Sequence, residues 1–176
     1  MARRDDEEFA VFVAASQASL RRTAYLLCGD WQLASDHVQD ALIKVFRRWS
    51  RLHDDGALIA YARRAVVSVV IDNSRRRSST ETPLAAVVET AATAPNGADE
   101  LVDRDLMLRC LRTLPARQRA CVVLRYYDDL AVSEVAAALG INEGTVKSQT
   151  ARGLTALKAA YQQATGEEIT AGGARA

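Results

Sequence analysis

Apolar residues recur every three or four positions along most of the chain, which is the period of a helix that packs on one face. In the first half this pattern predicts three helices, over residues 7–27, 31–49 and 58–73. A short polar loop over residues 50–56 separates the second helix from the third. The third helix leads into three consecutive arginines, 75–77.

The helical pattern weakens over residues 78–100, where Ser, Thr, Ala, Pro and acidic residues predominate. This composition is typical of a linker that has no packed face. Helical spacing resumes over residues 101–162, with Pro115 suited to the first turn of a helix. Because strand-like alternation is scarce, we predict an all-α protein with two small helical domains, 7–77 and 101–162, joined by a flexible linker.

Residues 132–152, VSEVAAALGINEGTVKSQTAR, have the spacing of a helix-turn-helix in the second domain. Ala136 is small enough for a second helix to cross over the first, and Gly140 suits a left-handed turn residue. Val146 supplies an apolar contact back to the first helix, and Asn142 is expected to cap the second. This motif places its second helix in the DNA major groove. The alternative is an ordinary helical hairpin in a bundle.

The start of that second helix carries side chains suited to DNA. Lys and Arg donate to guanine edges or phosphates, Ser contacts either, and Gln pairs with adenine. These groups are Gly144, Lys147, Ser148, Gln149 and Arg152, beside a helix N-terminus that attracts phosphate. Three arginines, 117, 119 and 125, are expected to grip the flanking backbone. The alternative for each basic residue is a solvated helix face.

The third helix of the first domain offers a second nucleic-acid surface. Its polar positions recur every four residues beside a basic cluster, and could follow a single strand. The preceding loop, with Trp49 and His53, could line a pocket for an unstacked base. The alternative is a basic helix end favoured by its own dipole. The residues of the helix are Arg63, Arg64, Ser68, Asp72, Asn73, Arg75 and Arg76.

Charge is distributed unevenly although the net charge is only +1. Residues 41–77 hold nine Lys or Arg against three acids, and residues 78–103 hold five acids and no base. A local basic face can bind DNA while the whole chain stays near neutral.

The remaining composition argues against other classes of protein. Three cysteines without a CxxC pair indicate a reducing cytoplasm, and with two histidines they predict no metal site. No cofactor and no enzymatic activity are expected, because phosphate-loop and nucleophile–base motifs are not evident. No signal peptide or apolar run of about 18 residues is seen, so we expect a cytoplasmic protein without membrane insertion.

Four stretches together resemble the extracytoplasmic-function (ECF) sigma factors, the two-domain initiation subunits of bacterial RNA polymerase. They are RTAYLLCGD over 22–30, ASDHVQDALIKVFRRW over 34–49, AYARR over 60–64 leading into Asp72, and the segment from LPARQRA at 114 to Arg152. The ending GTVKSQTARGL resembles an actinobacterial branch, the SigE family.

The resemblance implies a role for each surface. The first domain would be sigma domain two, which binds core polymerase and reads and melts the −10 promoter element. The second would be sigma domain four, which reads the −35 element and meets the polymerase β flap. An anti-sigma factor would be the usual regulator. The face on the β′ clamp coiled coil would comprise Asp36, Gln39, Asp40 and Lys44. The −10 set would be His53 with the third-helix residues named above. The −35 set would be Arg125, Glu143, Gly144, Thr145, Lys147, Ser148, Gln149 and Arg152.

Two positions depart from the family pattern, Ser68 where many relatives have Asn and Gln149 where other branches have Arg. Two other classes of function stay open at this point. A free-standing helix-turn-helix regulator would account for residues 114–160 but leave residues 34–77 without a purpose. An interaction module that has lost DNA binding is disfavoured by Lys147, Ser148 and Arg152. The sequence also leaves open whether the two domains dock on each other.

Overall fold

The computed structural model describes residues 2–52, 55–80 and 98–166, and side chains over 6–52, 58–76 and 104–166. His53 and residues 81–97, most of the predicted linker, lie outside these ranges. The described chain is helical and contains no strand, as the all-α prediction requires. Its elements are α1 (Ala2–Cys28), α2 (Trp31–Phe46), a 3-10 turn (Trp49–Arg51), α3 (Asp55–Thr80), α4 (Ala98–Thr113), α5 (Ala116–Tyr126), α6 (Val132–Leu139) and α7 (Glu143–Thr165).

Helices α1, α2 and α3 pack as a bundle. The chain reverses between α1 and α2 at Gly29, whose φ of +77° lies in the left-handed region that glycine adopts without strain. Asp30 then caps α2 by accepting a hydrogen bond from the Leu33 amide at 2.8 Å. The predicted helices are therefore present, and α3 is longer than predicted at both ends.

Helices α4 to α7 form the second group, in which α7 packs against α4, α5 and α6. Gly140 ends α6 with φ +63° and ψ +38°, the left-handed turn that the sequence predicts. Gly153 in the middle of α7 is buried against α5, because an added Cβ would lie 2.7 Å from Val122 Cγ2. No local pattern in the sequence indicates this close crossing.

The two groups of helices dock on each other, which the sequence left open. Helix α3 packs against α6 and α5, and α1 packs against α5 and α4. One continuous apolar cluster runs through both groups, from Leu20 and Val67 to Leu124 and Val135. A cavity of about 290 Å³ remains at the junction, lined by residues of both groups. The docked arrangement fixes which predicted site residues face solvent.

Candidate nucleic-acid interface

The turn into α7 is held by the side chain of Asn142. Its Oδ1 accepts hydrogen bonds from the Thr145 amide at 2.7 Å and from Thr145 Oγ1 at 2.9 Å. The Ser148 hydroxyl donates to the Thr145 carbonyl at 3.0 Å. These bonds satisfy one of the free amides of the helix start and fix the first turn, as expected for an N-cap. The cap predicted from the sequence is confirmed.

The first two turns of α7 present one solvent-facing surface. Val146 and Thr150 are buried on the opposite side, which orients the helix. Thr145 and Gln149 are half-buried at its edges. The exposed members of the predicted set are Glu143, Gly144, Lys147, Ser148 and Arg152. Two cations, a hydroxyl and uncovered amides therefore share the face that a groove-binding helix would present.

The arginines of α5 are placed differently from one another. Arg119 is half-buried and donates to the Leu27 carbonyl at 2.7 Å and the Leu114 carbonyl at 3.1 Å. Burial lowers the pKa of this guanidinium. Arg125 donates to the Leu130 carbonyl, and only Arg117 is exposed. Arg119 thus donates hydrogen bonds to carbonyls at the ends of α1 and α4. The spacing of arginines in the sequence does not reveal this role.

Helix α3 exposes a narrow polar stripe. Ser68 and Asp72 lie next to each other on it, with the Ser68 hydroxyl donating to Asp72 Oδ2 at 3.3 Å. Arg63 is half-buried toward the second group of helices, and Asn73 is half-buried with its Nδ2 3.2 Å from His37 Nδ1. The residues that the stripe brings together are Arg64, Ser68, Asp72, Arg75 and Arg76. The structure therefore brings five of the predicted residues together on one exposed stripe, whereas Arg63 and Asn73 lie half-buried away from it.

The predicted polymerase-binding face of α2 is uncovered in the docked molecule. Its members Asp36, Gln39, Asp40 and Lys44 are all exposed. Two large apolar side chains accompany them, Ile43 at 50% exposed and Phe46 at 48%. The ring of Phe46 also contacts the ring of Phe9, with 4.9 Å between their centroids. An exposed apolar edge beside charged groups is typical of a protein-binding surface.

Two tryptophans and a histidine of the first domain have packing roles. Trp31 stacks on Tyr25 with centroids 3.9 Å apart, and Trp49 packs edge-on against Phe9 at 5.0 Å. His37 is buried.

Over the part of the chain with described side chains, no group of three His, Cys, Asp or Glu could hold a metal ion. No helix in the described part is long and apolar enough to cross a membrane. Tyr126, the last residue of α5, and Tyr127 directly after it are both exposed, and no pattern in the sequence singles them out.

Comparison with known proteins gives matches over both groups of helices. The family Sigma-70 region 2 matches residues 12–80, and the family Sigma-70, region 4 matches residues 104–157. The RNA polymerase sigma-E factor of Streptomyces avermitilis is 34% identical over 151 residues, covering 86% of this chain and 83% of the relative. The ECF RNA polymerase sigma factor SigL of Mycobacterium tuberculosis is 30% identical over 152 residues, covering 83% and 84%.

A solved structure shares the arrangement of helices. It is the sigma factor RpoE of Bartonella quintana in complex with the anti-sigma factor NepR, with a TM-score of 0.70. The match covers 89% of this chain and 98% of that one at 21% identity. At this identity the likeness concerns the fold alone.

Proposed function

The chain belongs to the extracytoplasmic-function family of RNA polymerase sigma factors, and on this premise we propose which of its surfaces carry out promoter recognition. As a sigma factor it binds core RNA polymerase and directs promoter recognition, DNA melting and initiation. The observation that carries the assignment of surfaces is the capped start of α7, where Lys147, Ser148 and Arg152 share one exposed face.

Helix α7 reads the −35 element in the major groove. Lys147 and Arg152 are about 1.4 turns, or about 7.5 Å, apart along the helix and lie on either side of Ser148, which suits donation to bases or phosphates about two base-pair steps apart. Gln149 is half-buried, so its amide reaches DNA only from the edge of the face. Arg125 contributes by holding the carbonyl before α6 while its remaining donors face the backbone of the DNA. The full set is Arg125, Glu143, Gly144, Thr145, Lys147, Ser148, Gln149 and Arg152.

Helix α3 and the loop before it read and melt the −10 element. The exposed stripe of Arg64, Ser68, Asp72, Arg75 and Arg76 combines cations for the backbone with polar groups for an unstacked base. His53 of the preceding loop, together with Arg63 and Asn73, completes the site.

The exposed face of α2 binds the coiled coil of the β′ clamp through Asp36, Gln39, Asp40 and Lys44, and the second domain meets the β flap. Residues 78–100 are the linker between the two sigma domains, 7–77 and 101–162. The Bartonella RpoE structure contains an anti-sigma factor, and an anti-sigma factor regulates this chain as well. The protein acts in the cytoplasm and is not an enzyme, because its role is to place a polymerase that performs the chemistry.

Run-off transcription with core RNA polymerase tests this assignment. The wild-type chain should give promoter-specific transcripts only when core enzyme is present. Lys147→Ala or Arg152→Ala should abolish these transcripts while core binding in a pull-down is retained. The matched control is Arg109→Ala on α4, an exposed arginine whose Nε lies 3.3 Å from Asp105. Tight operator binding by the chain alone, with no transcript gained from core, would instead identify a free-standing regulator.

The α2 face is tested in the same pull-down. Asp36→Ala combined with Asp40→Ala should weaken core binding, because both carboxylates are exposed on the proposed clamp-binding face. Asp105→Ala removes a comparably exposed carboxylate from the second domain and should leave core binding unchanged. Equal binding by the double variant and the wild type would show that α2 does not carry this contact.

A further inference from the structure

Two arginines and no acidic residue line the cavity between the two groups of helices. This space, which we call the junction cavity, has a volume of about 290 Å³. Its large apolar side chains come from α1, α2 and α3, and its cations come from α4 and α5. A lining of this kind favours an anionic ligand. The polar residues of the lining are Cys28, His37, Asn73, Ser74, Arg112 and Arg119.

The charge of Arg119 is met only by carbonyl oxygens in the described part of the chain. Its Nη1 and Nη2 donate to the carbonyls of Leu27 and Leu114, and its Nε is buried without an acceptor. Burial lowers the pKa of this guanidinium, and the nearby charge of Arg112 lowers it further. Because an arginine stays protonated in proteins, two like charges share one wall of the junction cavity. An anion between them would replace this repulsion by attraction.

Arg112 is positioned by a close approach to the turn between α1 and α2. A Cβ added to Gly29 would lie 2.7 Å from Arg112 Cδ and 2.9 Å from its Nε, so the missing side chain of glycine leaves the room that Arg112 occupies. Arg112 is exposed, and its guanidinium makes no hydrogen bond or ion pair with the described residues. Its five N–H donors are therefore available to a ligand in the junction cavity.

The start of α5 adds a positive field to the same wall. Ala116 is the first residue of α5 and lines the junction cavity. The N-cap residue, Pro115, makes no side-chain hydrogen bond to the first amides of the helix. The dipole and the amides of a helix start attract an anion. The helix start and the two guanidiniums thus favour the same kind of ligand.

Among the described residues, none supplies a competing anion inside the junction cavity. Burial raises the pKa of the Cys28 thiol, which is therefore protonated and uncharged at neutral pH. Three acidic residues lie next to the lining in sequence, but each accepts a hydrogen bond outside the cavity lining. These acceptors and their donors are Asp30 with the Leu33 amide, Asp36 with the Gln32 side chain and Asp72 with the Ser68 hydroxyl.

We propose that the junction cavity is a binding site for a small phosphate monoester, a role that does not depend on the proposed function. Two cations and a helix start favour a dianion over a single carboxylate. Arg112 donates directly to the phosphate oxygens, and Arg119, whose Nη atoms are already bound to carbonyls, contributes its charge. The volume has room for roughly ten water-sized groups at about 30 Å³ each. This suits a phosphate with a short organic stem that contacts Leu27, Leu33, Val70 and Ile71.

Isothermal titration calorimetry on the full chain tests the site, with inorganic phosphate and glycerol 3-phosphate as probes at constant ionic strength. The wild-type chain should bind both, and the ester more tightly because its stem meets the apolar walls. Arg112→Gln removes the direct donors and should weaken binding by about ten- to a hundredfold. Arg109→Gln is the matched control, because it removes the same charge from the same helix at a residue that does not line the cavity. Its affinity should equal that of the wild type.

A second variant and a second measurement separate binding from folding. Ser74→Glu places a carboxylate at an exposed position of the lining and should repel the phosphate. Thermal unfolding without ligand checks that Arg112→Gln and Ser74→Glu fold like the wild type. Glycerol 3-phosphate should then raise the midpoint of thermal unfolding in the wild type and in Arg109→Gln, but not in the other two variants.

Three results would overturn the proposal. The first is the absence of both a binding heat and a thermal shift at millimolar glycerol 3-phosphate. The second is an equal affinity in Arg112→Gln and Arg109→Gln, which would show that the phosphate responds only to the overall charge of the chain. The third is displacement of the bound ester by a single-stranded oligonucleotide, which would assign the cavity to a nucleic-acid backbone instead of a small molecule.

Discussion

The crossing of α5 and α7 makes a prediction about the placement of α7, the helix that we propose reads the −35 element. Gly153 lies in the middle of α7, and a Cβ at this position would be 2.7 Å from Val122 Cγ2 and 3.2 Å from the Gln118 carbonyl oxygen. The first distance is shorter than real Cβ contacts, and a valine side chain on a buried helix face has little freedom to retreat. Gly153→Ala therefore has to displace α7 from α5.

The expected change in the free energy of unfolding of Gly153→Ala follows from two opposed effects. Replacing a glycine inside a helix by alanine stabilises the folded state by about 0.5–1 kcal/mol. Overpacking a buried contact costs about 1–3 kcal/mol. The net expectation is a decrease of about 1 kcal/mol in the free energy of unfolding. Gly144→Ala on the same helix is the matched control, because its Cβ would meet only Asn142 Oδ1 at 3.4 Å. That variant should be as stable as wild type or more so.

Urea unfolding followed by circular dichroism measures both variants. The double variant Gly153→Ala with Val122→Ala adds a sharper criterion, since removing the Val122 methyl groups should relieve the clash. The double variant should then lose less free energy of unfolding than the sum of the losses in the two single variants. A Gly153→Ala protein at least as stable as Gly144→Ala, or losses that simply add, would refute the close crossing.

Three further variants test other parts of the structure. Arg119→Met should lower the free energy of unfolding by about 2–4 kcal/mol, because it leaves the carbonyls at the ends of two helices without a hydrogen-bond donor. The control Arg117→Met changes an exposed arginine and should alter the free energy of unfolding by less than about 0.5 kcal/mol. Equal effects of the two substitutions would refute the buried role of Arg119. Asn142→Ala should cost about 1 kcal/mol through loss of the cap, and no loss in thermal unfolding would contradict the cap geometry. Burial raises the pKa of Cys121 to about 11, so the thiol ionises first in the unfolded chain. The free energy of unfolding should therefore fall as pH rises from about 9 to 11. In the Cys121→Ala variant it should fall less steeply over the same pH range.

The helices and the helix-turn-helix were predictable because local signals define them. Gly140 carries the left-handed turn and Asn142 the cap, and both act on residues within a few positions of themselves. The exposed face of α7 follows from the spacing of Val146 and Thr150 alone. Local patterns were therefore sufficient for the −35 candidate, whose residues belong to one helix.

The docking was not predictable from the same patterns. Val66 and Val67 are both 0% exposed although adjacent residues on a helix point about 100° apart. Their burial means that α3 is covered on two faces, one by its own bundle and one by the second domain. The sequence shows only that α3 is unusually apolar, and it cannot say which element covers the second face. Arg119 is a similar case, because its acceptor Leu27 lies 92 residues away in the chain.

The docked structure also bears on the order of events at the polymerase. Asp36, Gln39, Asp40 and Lys44 are exposed while the domains are together, so the proposed clamp contact needs no prior separation. The exposed stripe of α3 and the start of α7 are likewise uncovered. Arg63 is half-buried, and its Nε is buried without an acceptor. The proposed contact of α2 with the clamp can therefore form before any rearrangement of the two domains.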